Sequence, residues 1–258
     1  MMSGDIHLKN MGNELKTICK YHYVITCGKD PDAVERQQYM NNIFNLMDIK
    51  FTFFEICSEE DVQPFVSKMI GYYDRKINRV MREIMFVKSK YKRTMTMISY
   101  YILWCQCQVM HPNDNVMIWE DSVILNTSLT TNTCLDIIKD CILNLPSYDM
   151  FLLGHFPKQF KTDYIDDGKY RLKCQTPVNG YKEISRHLLK LNYGFPCGII
   201  IYSPSGINKL VENFENNFKT TTIHPFESFI ANMMDKSSVY CVNPSVFGQI
   251  LDNDPAIW

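Results

Sequence analysis

Glu120 and Asp121 stand side by side where an apolar run, Val116 to Trp119, gives way to Ser122 before a second run resumes at Val123. A carboxylate pair fixed by a preceding strand suits a hard divalent ion, which takes few protein carboxylates and fills its shell with phosphate oxygens. The same residues equally suit a polar turn where a strand leaves the core, and the pair alone does not choose between the two. Two further acidic groups occur, Asp252-Asn253-Asp254 and Asp166-Asp167 before Gly168, both of which read as acidic turns. Other chemistries fail on their own terms. The chain has no G-x-S-x-G elbow, no G-x-x-x-x-G-K-[ST] loop and no G-x-G-x-x-G fingerprint. Its ten cysteines include no C-x-x-C pair, which argues against a structural zinc site.

Several of those cysteines lie inside apolar runs, such as Cys27 after Tyr23–Thr26 and Cys197 before Gly198–Ile201. They read as buried small hydrophobes in a reduced, cytoplasmic setting rather than as a disulfide framework. A formal net charge of −1 creates no field that would gather nucleic acid or an anionic membrane surface. No segment approaches the length of apolar sequence that a transmembrane helix requires, so no membrane span is expected.

The elements that must carry the acids alternate. Tyr21 to Cys27 reads as a buried strand, Asp32 and Glu35 as a capping box for the helix that follows, and Phe51 to Ile56 as a second strand. Helical periodicity follows over residues 60–90, and Met95 to Met110 is apolar on most sides, as in a central buried helix. Strands are expected at Val116–Trp119, Met150–Leu153, Gly198–Tyr202 and Val239–Val242. Helices are expected at Leu135–Leu143, Ile207–Phe214 and Phe226–Met234. Residues 155–185 read as loops with short strands, and residues 1–18 as an N-terminal extension, poorly ordered or a short helix. This alternation predicts one three-layer α/β domain over 19–258 with a mostly parallel sheet. Ligands of such sheets sit at the carboxyl ends of the strands, which gathers Cys27–Arg36, Glu120–Ser122 and Gly154–Phe156 at one rim.

The order of segments resembles family 25 glycosyltransferases, which include lipooligosaccharide and procollagen galactosyltransferases. An opening strand followed by I-N-L-x-R-R-P-D-R-R-E-R is echoed by VITCGKDPDAVER, where Pro31, Asp32, Glu35 and Arg36 fit and Thr26 replaces the asparagine. G-x-I-G-C-x-L-S-H-x-x-x-W is echoed by TMTMISYYILW, with Ser99 and Trp104 in place but Tyr100 where the histidine would be. L-E-D-D-V reads Trp119-Glu120-Asp121-Ser122-Val123, and D-x-x-x-L-G reads Asp149 to Gly154. Gly198 to Leu210 echoes the next pattern, Pro225-Phe226-Glu227 the late P-x-D, and Val239 to Gln249 the closing V-Y-x-V-x-P.

The resemblance implies a GT-A-like fold and inverting transfer from a nucleotide-diphospho-sugar, a UDP-sugar, to a hydroxyl of a glycan or glycoprotein acceptor. It implies Mn²⁺ or Mg²⁺ held by Glu120 and Asp121, and Glu227 as the base on the acceptor hydroxyl beside Asp121. Donor binding falls to Thr26, Cys27, Arg36 and Ser99 together with the acid pair. Ser122 removes a carboxylate that the family uses, and Asp254 is the residue that could replace it on the metal. A degenerate member that binds a nucleotide sugar or glycan without turnover is the alternative. A nucleotidyltransferase releasing pyrophosphate is a third reading. Phe156, Phe160, Tyr164 and Tyr170 could stack on a sugar ring or cover a homodimer contact.

Overall fold

A computed structural model of the chain describes residues 3–26, 32–56, 88–157, 160–165, 171–177, 180–196, 198–219 and 226–249. The expected helical stretch over 60–90 lies almost wholly outside the described residues, as do Cys27, Asp166-Asp167, Asp252 and Asp254.

The strands of the main sheet are β1 (Tyr21–Thr26), β2 (Thr52–Glu55), β3 (Val116–Glu120), β5 (Met150–Leu152), β9 (Tyr181–Glu183), β10 (Leu188–Leu191), β12 (Ile199–Tyr202) and β13 (Val239–Val242). They lie in the order β2-β1-β3-β12-β5-β13-β10-β9. Pairing is parallel between β1 and β2, β1 and β3, and β5 and β13. It is antiparallel on both sides of β12 and of β10, so these two strands are the reversed ones. The fold is therefore mixed α/β, built on an eight-stranded sheet most of whose strands share one direction.

Strand residues alternate between two cores, as the pleat requires. Val116 and Ile118 of β3, Ile200 and Tyr202 of β12 and Met150 and Leu152 of β5 face one side. There they meet helices α3 (Lys88–Met110), α5 (Pro204–Lys219) and α6 (Phe226–Met233). Met117 and Trp119, Ile199 and Ile201, and Phe151 and Leu153 face the other, against α1 (Ser3–Ile18), α2 (Ala33–Leu46) and α4 (Thr131–Asn144). Both faces are covered, which explains why these strands read as continuous apolar runs rather than as alternating ones. Residues 3–18 form α1, and its Leu8, Met11 and Leu15 are buried against α2 and α4. The α1 packing leaves no space at Gly12, where a Cβ would fall 1.9 Å from the Met47 carbonyl oxygen.

Three small two-stranded sheets complete the architecture. β4 (Val123–Leu125) pairs with β14 (Phe247–Gln249), β6 (His155–Pro157) with β11 (Gly194–Pro196), and β7 (Phe160–Ile165) with β8 (Arg171–Pro177). Residues 155–185 are thus more regular than their composition suggests, because hairpin pairing organises short segments that have no clear apolar period.

Asp32 occupies the N-cap position of α2, but its backbone is helical (φ −78°, ψ −11°) and its side chain makes no capping hydrogen bond. The expected capping box is not formed, because a capping side chain needs extended backbone at that position. Thr130, extended at ψ 152°, does cap α4 and accepts from the Thr133 N–H. Among the described residues no helix is long and apolar enough to cross a membrane. Cys19, Cys105, Cys107, Cys134, Cys141 and Cys241 are free, and burial pushes the Cys19, Cys107 and Cys141 thiols up to about 12, so these three behave as core residues rather than nucleophiles.

His22 points from β1 into the face that holds Phe44, with ring centroids 6.3 Å apart. Burial lowers its pKa to about 4 from 6.5. The Cys19 backbone nearby opposes that shift, and the Lys16 charge adds to it. Below pH 6.5 the unfolded chain takes up a proton at this ring, whereas the folded chain does so only near pH 4. Protonation therefore favours unfolding. Stability measured by urea denaturation should drop by about 2 kcal/mol from this group between pH 7 and pH 5. His22→Leu should flatten that slope, and an unchanged slope would contradict the assignment.

Candidate active site at the carboxyl ends of β1 and β3

The register of β1 and β3 sets Ile25 opposite Glu120. The Asp121 N–H donates to the Ile25 carbonyl at 3.0 Å, which carries the ladder to the rim. Thr26 and Asp121 then fall on the same face, and the Thr26 hydroxyl donates to Asp121 Oδ2 at 2.7 Å. Gln37 Nε2 donates to the same Thr26 oxygen at 3.0 Å, and Arg36 Nε lies 3.2 Å from Asp121 Oδ1. Both of those residues sit on the first turns of α2, so the helix supplies charge and hydrogen bonds to a carboxylate on a neighbouring strand. The Asp121 side chain is 10 % exposed and that of Arg36 15 %. A carboxylate this buried needs such partners, since an uncompensated buried charge costs several kcal/mol.

Glu120 leaves the strand on the opposite face, following Val116 and Ile118. There it accepts a hydrogen bond from the Tyr100 hydroxyl of α3 at 2.9 Å. Tyr100 is buried, and its ring stacks on Phe226 with centroids 3.7 Å apart and 10° between planes. Burial first, then the Glu120 charge, pushes the Tyr100 pKa well above its usual 10, so it remains a neutral phenol that donates. On the other side of β3, the Glu120 N–H donates to the Gly198 carbonyl at 2.7 Å. Gly198 has a φ of +58°, and a Cβ there would fall 3.0 Å from Glu120 Oε2 and 3.0 Å from Val123 Cγ2. Glycine at this place permits both the left-handed backbone and the close approach of the Glu120 side chain.

Thr26, Arg36, Glu120 and Asp121 thus share one rim, with the two acids directed to the two faces of the sheet. Glu227 is exposed on the first turn of α6, directly after Phe226, and its charge contributes to the raised Tyr100 pKa. Ser99 is fully buried in α3, where its hydroxyl donates to the Met95 carbonyl at 2.8 Å. Asp149, from the D-x-x-x-L-G segment, lies at the opposite rim, where β5 begins. Its carboxylate accepts from Ser205 Oγ (2.7 Å), Lys209 Nζ (2.6 Å) and the Ser238 N–H (2.8 Å). Burial opposes ionisation, but these donors prevail and hold its pKa below the usual value. Asp149 thereby joins β5, α5 and β13.

In the sequence, Tyr100 and Gly198 stand out only through the resemblance, as the residue at the histidine position and as the start of the Gly198–Leu210 pattern, and Gln37 does not stand out at all. Counting period two from Val116 puts Glu120 on the α3 face, and the glycine that opens an otherwise apolar strand marks a close approach. Gln37 carried no signal of its own, because a glutamine on a polar helix turn has no distinguishing pattern.

A mixed α/β sheet with two hydrogen-bonded carboxylates at the carboxyl rim, Asp121 buried and Glu120 half-buried, defines a candidate ligand site of the kind such sheets use. No family model matches the chain, and no curated protein matches it. Among solved structures it is similar to A197 from STIV at 9% sequence identity, over 91% of this chain and 87% of that one. The TM-score is 0.38, a likeness that carries no argument about fold or chemistry.

Three substitutions test the geometry. Gly198→Ala should cost roughly 1–3 kcal/mol through backbone strain and crowding of Glu120. Gly248→Ala should cost little, because a Cβ there meets nothing within 4 Å. Asp149→Asn should destabilise by roughly 2 kcal/mol at neutral pH by weakening three charge-assisted bonds. That difference should shrink as pH falls through the Asp149 pKa, where the wild-type carboxylate becomes neutral as well.

Proposed function

We propose that the chain is an inverting glycosyltransferase of GT-A-like fold that transfers a sugar from a UDP-sugar to a hydroxyl of a glycan or glycoprotein acceptor. The observation that carries this reading is the pair Glu120–Asp121, anchored at the carboxyl rim by Tyr100, Thr26 and Arg36. The order of segments along the chain points the same way. Mn²⁺ or Mg²⁺ is held through one or two carboxylates plus ligand phosphates, so one acid of the pair together with the donor diphosphate could hold it. Glu120 and Asp121 point to opposite faces of the sheet, so one of them and not both would be that ligand; Asp254 is outside the described residues. When bound, such an ion offsets the charge that develops on the departing diphosphate.

The protein's own groups would do the rest. Arg36 sits beside Asp121, where its guanidinium could meet diphosphate oxygens in a bidentate fashion. Thr26 and Cys27 would lie along the donor, whereas Ser99, fully buried with its hydroxyl bonded to the Met95 carbonyl, would not reach it. Glu227, exposed at the start of α6, takes the proton from the acceptor hydroxyl. The acceptor oxygen forms a bond to the anomeric carbon on the face opposite the nucleotide. The bond from that carbon to the phosphate oxygen breaks, and its electron pair leaves with UDP. The free, buried cysteines fit a reduced, cytoplasmic setting.

A specific observation favours a second reading, a nucleotide-sugar or glycan-binding protein without turnover. Arg36 already offsets one of the two carboxylate charges, and Ser122 brings none. A panel of UDP- and GDP-sugars, incubated with the protein and Mn²⁺, separates the two readings by nucleotide release. An enzyme should release UDP, lose that activity with EDTA, and lose roughly a hundredfold in Asp121→Asn or Glu120→Gln. Binding of nucleotide sugar with no release, to water or to added acceptors, would leave the binding protein as the reading.

A further inference from the structure

We infer that Glu55 accepts the ribose hydroxyls of the nucleotide, so that the nucleoside lies over the end of β2 and its diphosphate over α2 and β3. The inference rests on the nucleotide-sugar reading above and assigns the ligand's nucleoside half to a named residue; it needs no metal ion.

β1, α2 and β2 form one β-α-β unit, with the two strands parallel and both ending at the carboxyl rim. The register sets Thr26 opposite Glu55, and the Ile56 N–H donates to the Thr26 carbonyl at 2.8 Å. The ladder therefore runs to the last residues of both strands and holds Glu55 one strand spacing, about 4.8 Å, from Thr26. Register partners point to one face of a sheet, and the alternation along β2 agrees. Phe54 and Ile56 pack on the core under α3, while Phe53 packs on the side of α2. Glu55 follows Phe53 onto that side, which is the side of Thr26, Asp121 and Arg36.

The other acceptors at these strand ends are already engaged. Asp121 accepts from Thr26 at one oxygen and faces Arg36 with the other. The Thr26 hydroxyl donates to Asp121 and accepts from Gln37. Glu120 turns to the aromatic side, where Tyr100 donates to it. Of the three strand-end acids only Glu55 is exposed, and no described residue donates to its carboxylate.

Ribose suits such a group. Its two neighbouring hydroxyls can both donate, and an ionised carboxylate has two accepting oxygens and no donor to oppose them. In β-α-β units that bind dinucleotides, an acid beyond the helix serves the ribose in this manner while the phosphates sit at the helix start. Arg36, on the first turns of α2, stands where those phosphates would lie. From β2 to β3 the rim thus runs from an acceptor of hydroxyls to a donor for phosphates, across two strand spacings, about 10 Å.

The test is titration calorimetry on the full chain with two nucleotide pairs, UDP and 2′-deoxy-UDP, GDP and 2′-deoxy-GDP. Each titration is run with and without Mn²⁺, and circular dichroism confirms folding of the variants. The wild type should bind at least one ribonucleotide about tenfold more tightly than its 2′-deoxy form. Glu55→Ala should weaken the ribonucleotide by about tenfold and abolish that preference. Glu55→Gln, which keeps one accepting oxygen without the charge, should fall between. Wild-type affinity and ribose preference in Glu55→Ala would overturn the contact and leave the nucleotide-sugar reading standing, as would a wild type that binds both forms equally. A wild type that binds none of the four would overturn that reading and this inference with it.

Discussion

A buried carboxylate at the end of a strand cannot stand without partners, and much of the rim follows from how Asp121 finds them. Its N–H continues the ladder to Ile25, its Oδ2 accepts from Thr26, and its Oδ1 faces Arg36. Three elements are thereby fixed to one another: β1 through Thr26, β3 through the chain itself, and α2 through Arg36 and Gln37. Removing any one donor would leave charge in a site that is mostly shielded from water, which is costly whatever the site does. This pairing also defines what a ligand must accomplish there. A cation or a phosphate entering the rim has to compete with, or recruit, the Arg36 guanidinium.

The second carboxylate obeys a different neighbourhood because of pleat geometry alone. One residue along the strand changes the face, so Glu120 belongs to the aromatic core of α3, α5 and α6 while Asp121 belongs to the side of α1, α2 and α4. The reversed strand β12 adds to this asymmetry. It runs beside β3 and places Gly198 against Glu120, in a backbone conformation that only glycine takes easily. The site is therefore a sheet edge with a charged side and an aromatic side rather than a cluster of acids in one hollow. At the opposite rim Asp149 serves a structural purpose, gathering the starts of β5 and β13 and the first turns of α5.

Much of this was legible in the sequence, for physical reasons that also mark the limits. Apolar runs such as Val116–Trp119 and Ile199–Tyr202 announce strands buried on both faces, and amphipathic spacing announces the helices between them. The convergence of Thr26, Arg36, Glu120 and Asp121 follows from the rule that binding groups gather at carboxyl strand ends. Strand direction was not legible: nothing in Gly198–Tyr202 distinguishes a reversed strand from a parallel one, since side-chain alternation is the same in both. The pairing of β7 with β8, and of β6 with the distant β11, was hidden as well, because these segments are short and gain regularity only from their partners. The Asp32 cap failed for a local reason, the helical backbone at that residue, which composition does not encode. Tyr100 looked like a departure from the family pattern, whereas the structure gives it a hydrogen bond to the acid it faces.

The most direct measurement is a crystal structure of the full chain with UDP and Mn²⁺ soaked together, with the ion located by anomalous scattering. The glycosyltransferase reading predicts Mn²⁺ bonded to the Glu120 or Asp121 carboxylate and to diphosphate oxygens of UDP. UDP bound with no ion at those carboxylates and the Arg36–Asp121 pair unchanged, or an ion held elsewhere on the protein, would contradict it.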